Sequence, residues 1–555
     1  MTVKHLFAFS VSGLILVGQA TAQVAPDSGQ LLQQQNQQVP QLPRAVKGIE
    51  IQVPAAAVTL PGGATVTLKA VKFVGNSVFS EESLRAALGE FSATGMDLAG
   101  LRGLAGKVTD YYHANGYPFA RAFIPAQELN DGVLQIEIVE GRYGKVLAIG
   151  DPVIAKSAQG FLYPLQPGSV IEARQLERTT LIIDDLPGVK VTPVIRPGQE
   201  FGSGDLDATV SPTEALTGEV GLDNHGNRYT GSYRLRTTVQ WDSPLIVGDQ
   251  FTLRGLYTNE QMWMGSLGYS LPLGKTGLRG NVGYAHTYYQ LGNDFANLGA
   301  TGTADVTSAG LSYPLIRSQI SNLVLAGTYQ HKRLNDKQDL VGTSYGKSSD
   351  SLPIALNFDY RDSLVSGGVT FGALTYTPGT LHLDDALAAQ DAASGRDKRG
   401  RFNKLNVDVA RLQQTPVSNL TFYGRASAQW ADKNLDSSEG FLLGGPNGVR
   451  AYPVSEGAGD DGWLAQLEMR YALGEVVPFV FYDAGKVRIN AKAGNLAVPV
   501  TTNTRSLAGG GAGVRYQHGA LSIDASVAWR TEGGDAVSDT KAKNPAVWLA
   551  FLYRF

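Results

Sequence analysis

The sequence predicts a mainly β membrane protein: an antiparallel transmembrane β-barrel of about sixteen strands, preceded by two small α+β units. Three observations carry this expectation. Residues 545–555 alternate, with Val547, Leu549, Phe551, Tyr553 and Phe555 on one parity and Ala546, Ala550 and Arg554 on the other; that is the period of a half-buried strand. Similar segments recur about sixteen times from residue 218 onward, several ending in Trp or Tyr, where an interfacial girdle belongs. No internal apolar run reaches the roughly 18 residues a spanning helix needs. An unpaired backbone group in hydrocarbon costs several kcal/mol, so strands with a lipid-facing parity must close into a barrel. A water-soluble β-sandwich also alternates, but it does not need so many strands of roughly ten residues with aromatic ends.

Composition narrows the function classes. The chain has 555 residues, 66 of them Gly, and only 17% charged. A net charge of −3 argues against a nucleic-acid partner, which selects for a basic face. With no Cys, disulfides, thiolate catalysis and zinc–cysteine sites are all excluded. At the N-terminus, Lys4 and His5 precede an apolar run over 6–17, and Ala20 and Ala22 offer a cleavage site. Residues 1–22 therefore read as an export signal; the run is short for a membrane anchor.

The next stretch, 23–65, is polar and Gln-rich, then spaced by Pro40, Pro43, Pro54 and Pro61. Within it, 27–38 is either a short helix starting at Asp27 or Ser28, or a disordered spacer before an extended linker. Residues 66–143 form the first compact unit. A strand over 66–75 ends in a Gly-Asn turn, Ser80 starts a helix through Leu88, and a second helix covers 98–115. That helix carries Leu101, Leu104, Val108, Tyr111 and Tyr112 on one face, and Gly116 stops it. Strands over 119–125 and 133–139, turned by Asn130, Asp131 and Gly132, complete a β-α-α-β-β order. A second unit, 144–211, repeats the theme with a strand at 145–150, a helix around 172–185, and strands near 189–196 and 205–211.

From residue 212 to 555 the chain reads as barrel, and from Gly218 onward helical periodicity disappears. In 233–241, Tyr233, Leu235, Val239 and Trp241 oppose Arg234, Arg236, Thr238 and Gln240. Lumen-parity charges of both signs (Arg234, Arg236, Asp408, Arg425, Glu468, Arg470, Asp524) predict a wide polar pore. Connections at 473–475 and 518–519 are tight, whereas 382–399, 432–461 and 489–505 are long and polar, which puts the latter outside the cell and the two N-terminal units in the periplasm.

One strand breaks the parity rule. Asp483 shares parity with Phe479 and Phe481, and a carboxylate facing lipid is costly, so all three must face the lumen. Two phenyl rings in a watery pore need cover. The loop 432–461 is rich in Gly and Pro yet carries large residues, so it is expected to fold inward and pair Arg450 with Asp483; the alternative is a solvated Asp483 at the periplasmic rim. Enzymatic motifs fail on context. Residues 342–346 match G-x-S-x-G but lie in a polar loop before a strand, and 342–348 fall one residue short of a phosphate-binding loop. The seven His show no metal spacing. No catalytic residue, metal or other cofactor is expected.

The ordered motifs resemble the outer-membrane transporters of two-partner (type Vb) secretion, the haemolysin-activator and filamentous-haemagglutinin-transporter family. Tyr112, Gly116, Tyr117, Pro125, Gln127, Asp131, Gly132, Glu140 and Gly141 match the pattern of its POTRA domains. Residues 222–231 resemble its first barrel hairpin. Val449, Arg450, Ala451 and Tyr452 are similar to the V-R-G-Y tip of its inward-folded loop, with Ala451 in place of the usual Gly. Phe481, Asp483 and Gly485 are similar to the partner strand. The resemblance implies a loop–barrel lock of Arg450, Asp483, Val449, Tyr452, Phe481 and Gly485. It implies substrate recognition by the first POTRA unit (Tyr112, Gly116, Tyr117, Pro125, Gln127, Gly132), and a plug role for the 27–38 helix. Phe555 looks like the terminal signal read by the barrel assembly machinery, with periplasmic chaperones as further partners during biogenesis. The implied function is secretion of an unfolded exoprotein, an adhesin, cytolysin or toxin, across the outer membrane. A barrel-assembly insertase and a passive porin or receptor remain as alternatives.

Overall fold

The computed structural model describes residues 25–36, 39–43, 64–91, 94–129 and 131–555. The expected export signal at 1–22, residues 44–63 of the expected linker, residues 37 and 38, and Asn130 lie outside the described residues.

The chain begins with helix α1 (Ser28–Asn36), whose first turn is closed by Asp27: Gln30 N donates to its carboxylate at 2.9 Å. The first α+β unit follows, with β1 (Ala70–Val74), α2 (Glu81–Leu88), α3 (Leu98–Ala114), β2 (Arg121–Phe123) and β3 (Val133–Val139). Ser80 caps α2 and Asp97 caps α3, each satisfying an orphan amide of the first turn. The buried face of α3, Leu101, Leu104, Val108 and Tyr112, packs on the sheet β1-β3-β2, in which β1 runs parallel to β3. β1 is shorter than the expected 66–75 strand, because Val66 instead bridges to Met96 and Lys69 N donates to the Gly132 carbonyl.

The second unit has β4 (Arg142–Gly150), α4 (Pro152–Gln159), α5 (Ala173–Asp184), β5 (Val189–Pro197) and β6 (Ser203–Pro212), again with the parallel pair at one edge (β4-β6-β5). α4 is absent from the sequence expectation. Its signal was present: Asp151 accepts from Val153 N and Ile154 N, directly before Pro152 at the first helical position.

The barrel starts at Leu216 and closes when the last strand, Ala546–Arg554, pairs with the first, Leu216–Asp223. Thr343–Ser351 and Ile354–Asp362 pair with the same two neighbours, so they are two halves of one strand interrupted at Leu352 and Pro353. The closed antiparallel sheet thus has sixteen strands. The aromatic and aliphatic parity faces out: Tyr233, Trp241, Trp263, Trp430, Trp463 and Trp529 are all exposed. Contrary to the expectation from periodicity, helical structure persists after residue 218. Helix α6 (Asp385–Ser394) sits in the 382–399 loop, capped by Asp384 and stopped by Gly395 at φ +67°. Its caps carry it rather than an apolar stripe, which is why periodicity missed it.

Residues 25–36 and 39–43 lie along the lumen. Ser28 binds Asp336 near the outer end of the strand Ser321–Gln338, and the Pro43 carbonyl accepts from Arg361, at the periplasmic end of its strand.

Candidate functional site: the re-entrant loop and the wall it covers

The loop after the strand Leu420–Ala431 turns back into the barrel. Its tip is a compact knot of backbone bonds, including Val449 N to Leu443 O (2.8 Å), Gly448 N to Gly445 O (3.0 Å) and Tyr452 N to Val449 O (3.1 Å). Gly445 adopts φ +112°, which lets the chain reverse there. Side chains of the barrel wall hold the tip: Gln466 Nε2 donates to the Gly448 carbonyl (2.8 Å) and Arg425 Nη1 to the Asn447 carbonyl (3.0 Å).

Arg450 is the centre. Its Nε and Nη2 donate to the two oxygens of Asp483 at 2.8 and 2.7 Å, and its own backbone N–H adds a third bond to that carboxylate at 3.1 Å. Nη1 donates to Glu468 Oε1 (2.6 Å), and the guanidinium lies 3.6 Å from the Phe481 ring centroid. Asp483 has no exposed surface and Arg450 is 6% exposed. A buried charge is tolerated only when paired and hydrogen-bonded, and here the bidentate fork does both. Glu468 is shared: Arg470 and Arg515 also donate to it, Arg515 continues to Asp524, and Arg515 covers Phe479 at 4.1 Å. The inward rings of Phe479 and Phe481 are covered by arginines and by Leu443, Val449, Ala451 and Tyr452 in one cluster. Tyr452 is fully buried, its hydroxyl 2.7 and 2.9 Å from the carbonyls of Glu532 and Gly534.

Backbone space makes the seat. A Cβ added at Gly485 would meet Leu443 Cδ1 at 2.4 Å, at Gly511 the Phe481 ring at 2.6 Å, and at Gly513 the Phe479 ring at 2.3 Å. At Gly509 it would meet the Ala451 methyl at 2.3 Å. Ala451 therefore stands over a glycine, which absorbs the methyl by which the tip departs from the V-R-G-Y pattern.

Sequence reasoning brought Arg450, Asp483, Val449, Tyr452, Phe481 and Gly485 together, and the structure places them in one site. It missed the Gly509–Gly513 floor, although four glycines in five residues of a strand were a signal. It also missed Trp548, on the inward parity of the last strand, whose Nε1 donates to the Arg450 carbonyl at 2.7 Å. Phe555 lies at the seam, exchanging backbone bonds with Gly218 (2.8 and 3.0 Å). Asn224 extends the same seam: its side-chain amide accepts from Leu549 N and donates to the Val547 carbonyl. Ser344 of the G-x-S-x-G match lies on the strand Thr343–Ser351, which corrects its expected loop placement.

The six residues expected in substrate recognition sit within the first α+β unit. Tyr112 has no exposed surface, so it does not touch a passing chain in this conformation; its hydroxyl donates to Glu140 (2.9 Å). Burial pushes the Glu140 carboxyl up, but bonds from the Ser77 hydroxyl, Ser77 N, Val78 N and Tyr112 outweigh that and hold it below its ordinary 4.5. Burial and Glu140 in turn raise Tyr112. Gly116 terminates α3 at φ +92°, and Tyr117 packs edge-on against Phe79 (5.6 Å). Gln127 donates to the Gln135 carbonyl and accepts from Gln135 N, both at 2.8 Å, standing in for a strand beside β3. It also approaches the Pro125 carbonyl at 3.4 Å, and Gly132 turns into β3 at φ +70°. These six residues build the unit.

The lumen beside the loop holds a cavity of about 1750 Å³, lined by α1, by Glu439 and Asn447 of the loop, and by strand residues such as Arg234, Arg236, Gln250, Arg254 and Thr287.

A model of the "Haemolysin secretion/activation protein ShlB/FhaC/HecB" family matches residues 202–516, and one of the "POTRA domain, ShlB-type" matches 66–141. Among curated proteins, the heme/hemopexin transporter protein HuxB of Haemophilus influenzae (strain 86-028NP) is 27% identical over 442 residues, 78% of each chain. The outer membrane transporter CdiB of Escherichia coli O6:K15:H31 is 28% identical over 395 residues, 68% of this chain and 64% of that one. The solved structure of CdiB from Escherichia coli superposes with a TM-score of 0.72 at 22% identity, covering 91% of this chain and 93% of that chain. CdiB from Acinetobacter baumannii gives 0.65 at 16% identity, covering 95% and 96%.

Proposed function

Because the chain belongs to the haemolysin secretion/activation family and is an outer-membrane two-partner secretion transporter, we propose that it captures one unfolded exoprotein at its POTRA-type units and passes it through the barrel when α1 vacates the lumen. The matched family is one of secretion, which sets aside the insertase and porin alternatives, and we assign the chain no catalytic step. The observation that carries the route is the asymmetry of the lumen. One wall is sealed by the re-entrant loop, whereas the other is polar, cavity-bearing and occupied by a short helix whose two flanks reach opposite ends of the pore.

The cargo is a secreted protein made in partnership with this one. It would bind as an extended segment by strand addition or in a groove between the two units. No nucleotide drives the step; folding of the cargo outside biases passage outward. The domain partition remains a proposal: 1–22 as signal, 23–65 as plug and linker, 66–143 and 144–211 as POTRA units, and 212–555 as barrel. So do the barrel assembly machinery and chaperones as biogenesis partners and Phe555 as their signal. A strain lacking this protein is expected to hold the cognate exoprotein in the cell envelope, and restoration is expected to release it to the medium. Equal secretion in both strains overturns the reading.

A further inference from the structure

Resting on that transport reading, we infer that Arg228 and Tyr229 are positioning residues for export: they gate the extracellular mouth and make its opening depend on the departure of α1. The first barrel strand leaves the periplasmic side at Leu216 and ends at Asp223, so the loop at 224–233 lies outside. The connections at 291–299 and 533–545 join strands at that same end. Arg228 ties the three together. Its Nε donates to Asp539 Oδ1 at 2.9 Å and its Nη2 pairs with Asp294, while Lys541 Nζ closes the ring on the other oxygen of Asp294 at 2.9 Å. The backbone adds two ties, from Gly292 N to the Tyr229 carbonyl (2.8 Å) and from Asn293 Nδ2 to the Arg228 carbonyl (2.7 Å). The Arg228 guanidinium also lies over the Tyr229 ring at 4.6 Å.

Directly beneath, Tyr229 is 1% exposed and packs edge-on against Phe295 (4.8 Å). It shares one buried apolar cluster with Leu31 of α1, Met262, Tyr289 and Leu291. Tyr289 donates to Asp336 at 2.5 Å, the carboxylate that also accepts from Ser28 N and Ser28 Oγ at the start of α1. The ring that joins the loops and the first turn of α1 are thus one packed block, with Tyr229 as the shared piece. When α1 leaves, the volume of Leu31 empties under Tyr229, and a void of that size is costly in a close-packed cluster. Tyr229 moves to fill it and draws Arg228 out of reach of two carboxylates, so the three loops separate as the lumen clears. The gate gives the residues at 224–231, which the secretion reading alone leaves unused, a role.

The test is the frequency of channel openings of the purified full-length protein in planar lipid bilayers. Arg228→Gln and Leu31→Gln are each expected to raise it severalfold. If the two act through one block, the double variant rises no further than the larger single effect. Exchanging the pair, Arg228→Asp with Asp539→Arg, is expected to return the frequency toward the parent. Heat-modifiable mobility reports barrel assembly for each variant, and Asp539→Asn replaces Arg228→Gln should the latter fail to assemble. An unchanged opening frequency in the assembled variants, or effects that multiply in the double variant, overturns the gate. Failure of the parent to secrete its partner, with the gating results intact, overturns the transport reading instead.

Discussion

The two walls of this barrel solve opposite problems. The strands from Asp461 to Arg554 carry inward aromatics and a buried ionic ladder, Arg450–Asp483, Arg450–Glu468 and Arg515–Glu468, sealed by an apolar loop tip. The strands from Leu216 to Gln338 carry hydroxyls and amides, and α1 lies between them and the re-entrant loop: Leu31 and Leu32 join clusters with strand residues and Thr287 donates to Gln35, while Gln33 and Gln34 reach the Ser438 carbonyl and Ser455 of the loop. At its start, Asp27 pairs with Lys347 at 3.1 Å, and the Ser437 hydroxyl donates to it at 2.7 Å. A buried ion pair cannot part without leaving an uncompensated charge in low dielectric. Lys347 keeps Asp436 at 2.9 Å when Asp27 departs, so it is not left uncompensated, and the amide and hydroxyl contacts of α1 trade for water at small net cost. The difference teaches that the loop belongs to the scaffold and the helix to the moving part.

The largest expected effect is on the sealed wall. Asp483→Ala leaves the buried Arg450 only its share of Glu468 as a carboxylate partner and should cost about 3–5 kcal/mol, read as a lower melting temperature in heat-modifiable electrophoresis. Arg450→Ala should cost a similar amount, and the pair together less than the sum. Additive losses would show that the two do not act as a unit. Next, Gly511→Val drives a side chain into the Phe481 ring and should destabilise by about 1–3 kcal/mol. Gly265→Ala on the opposite wall, where an added Cβ meets nothing within 4 Å, should leave melting unchanged; equal effects would erase the contrast. Trp548→Phe removes one hydrogen bond to the tip and should cost about 1 kcal/mol by the same measurement.

The smallest effect lies outside both walls. The folded Glu140 carboxyl sits below its ordinary 4.5, so its stabilisation is complete above that value and is lost as the pH falls through the folded value. Amide exchange in α2 and β3 should accelerate in that acidic window and not near neutrality. Glu140→Gln should remove the pH dependence; persistence in that variant would assign it to another group.

Much of this was legible in the chain. Alternation placed the strands because lipid punishes a wrong parity at every second residue. Asp483 betrayed the inward face of its strand because a carboxylate cannot face hydrocarbon, and that one residue exposed the need for a covering loop. The capped helices α2 and α3 were readable because their start and stop signals are local. α4 and α6 were overlooked for a related reason: short capped helices carry little periodicity, so only the Asp caps announced them. The bond from Tyr112 to Glu140 was not legible, because a buried aromatic and a binding aromatic look alike in one dimension.

By itself the sequence determined the barrel, its orientation, the two α+β units before it, and the pairing of Arg450 with Asp483, since these follow from periodicity and from the cost of a lone charge in a membrane. Only the tertiary structure decided which residues surround that pair. Glu468, Arg515, Trp548, the glycine floor and the block joining Tyr229 to Leu31 come from strands and loops far apart in the chain. Their meeting depends on barrel register and closure, which no local pattern encodes.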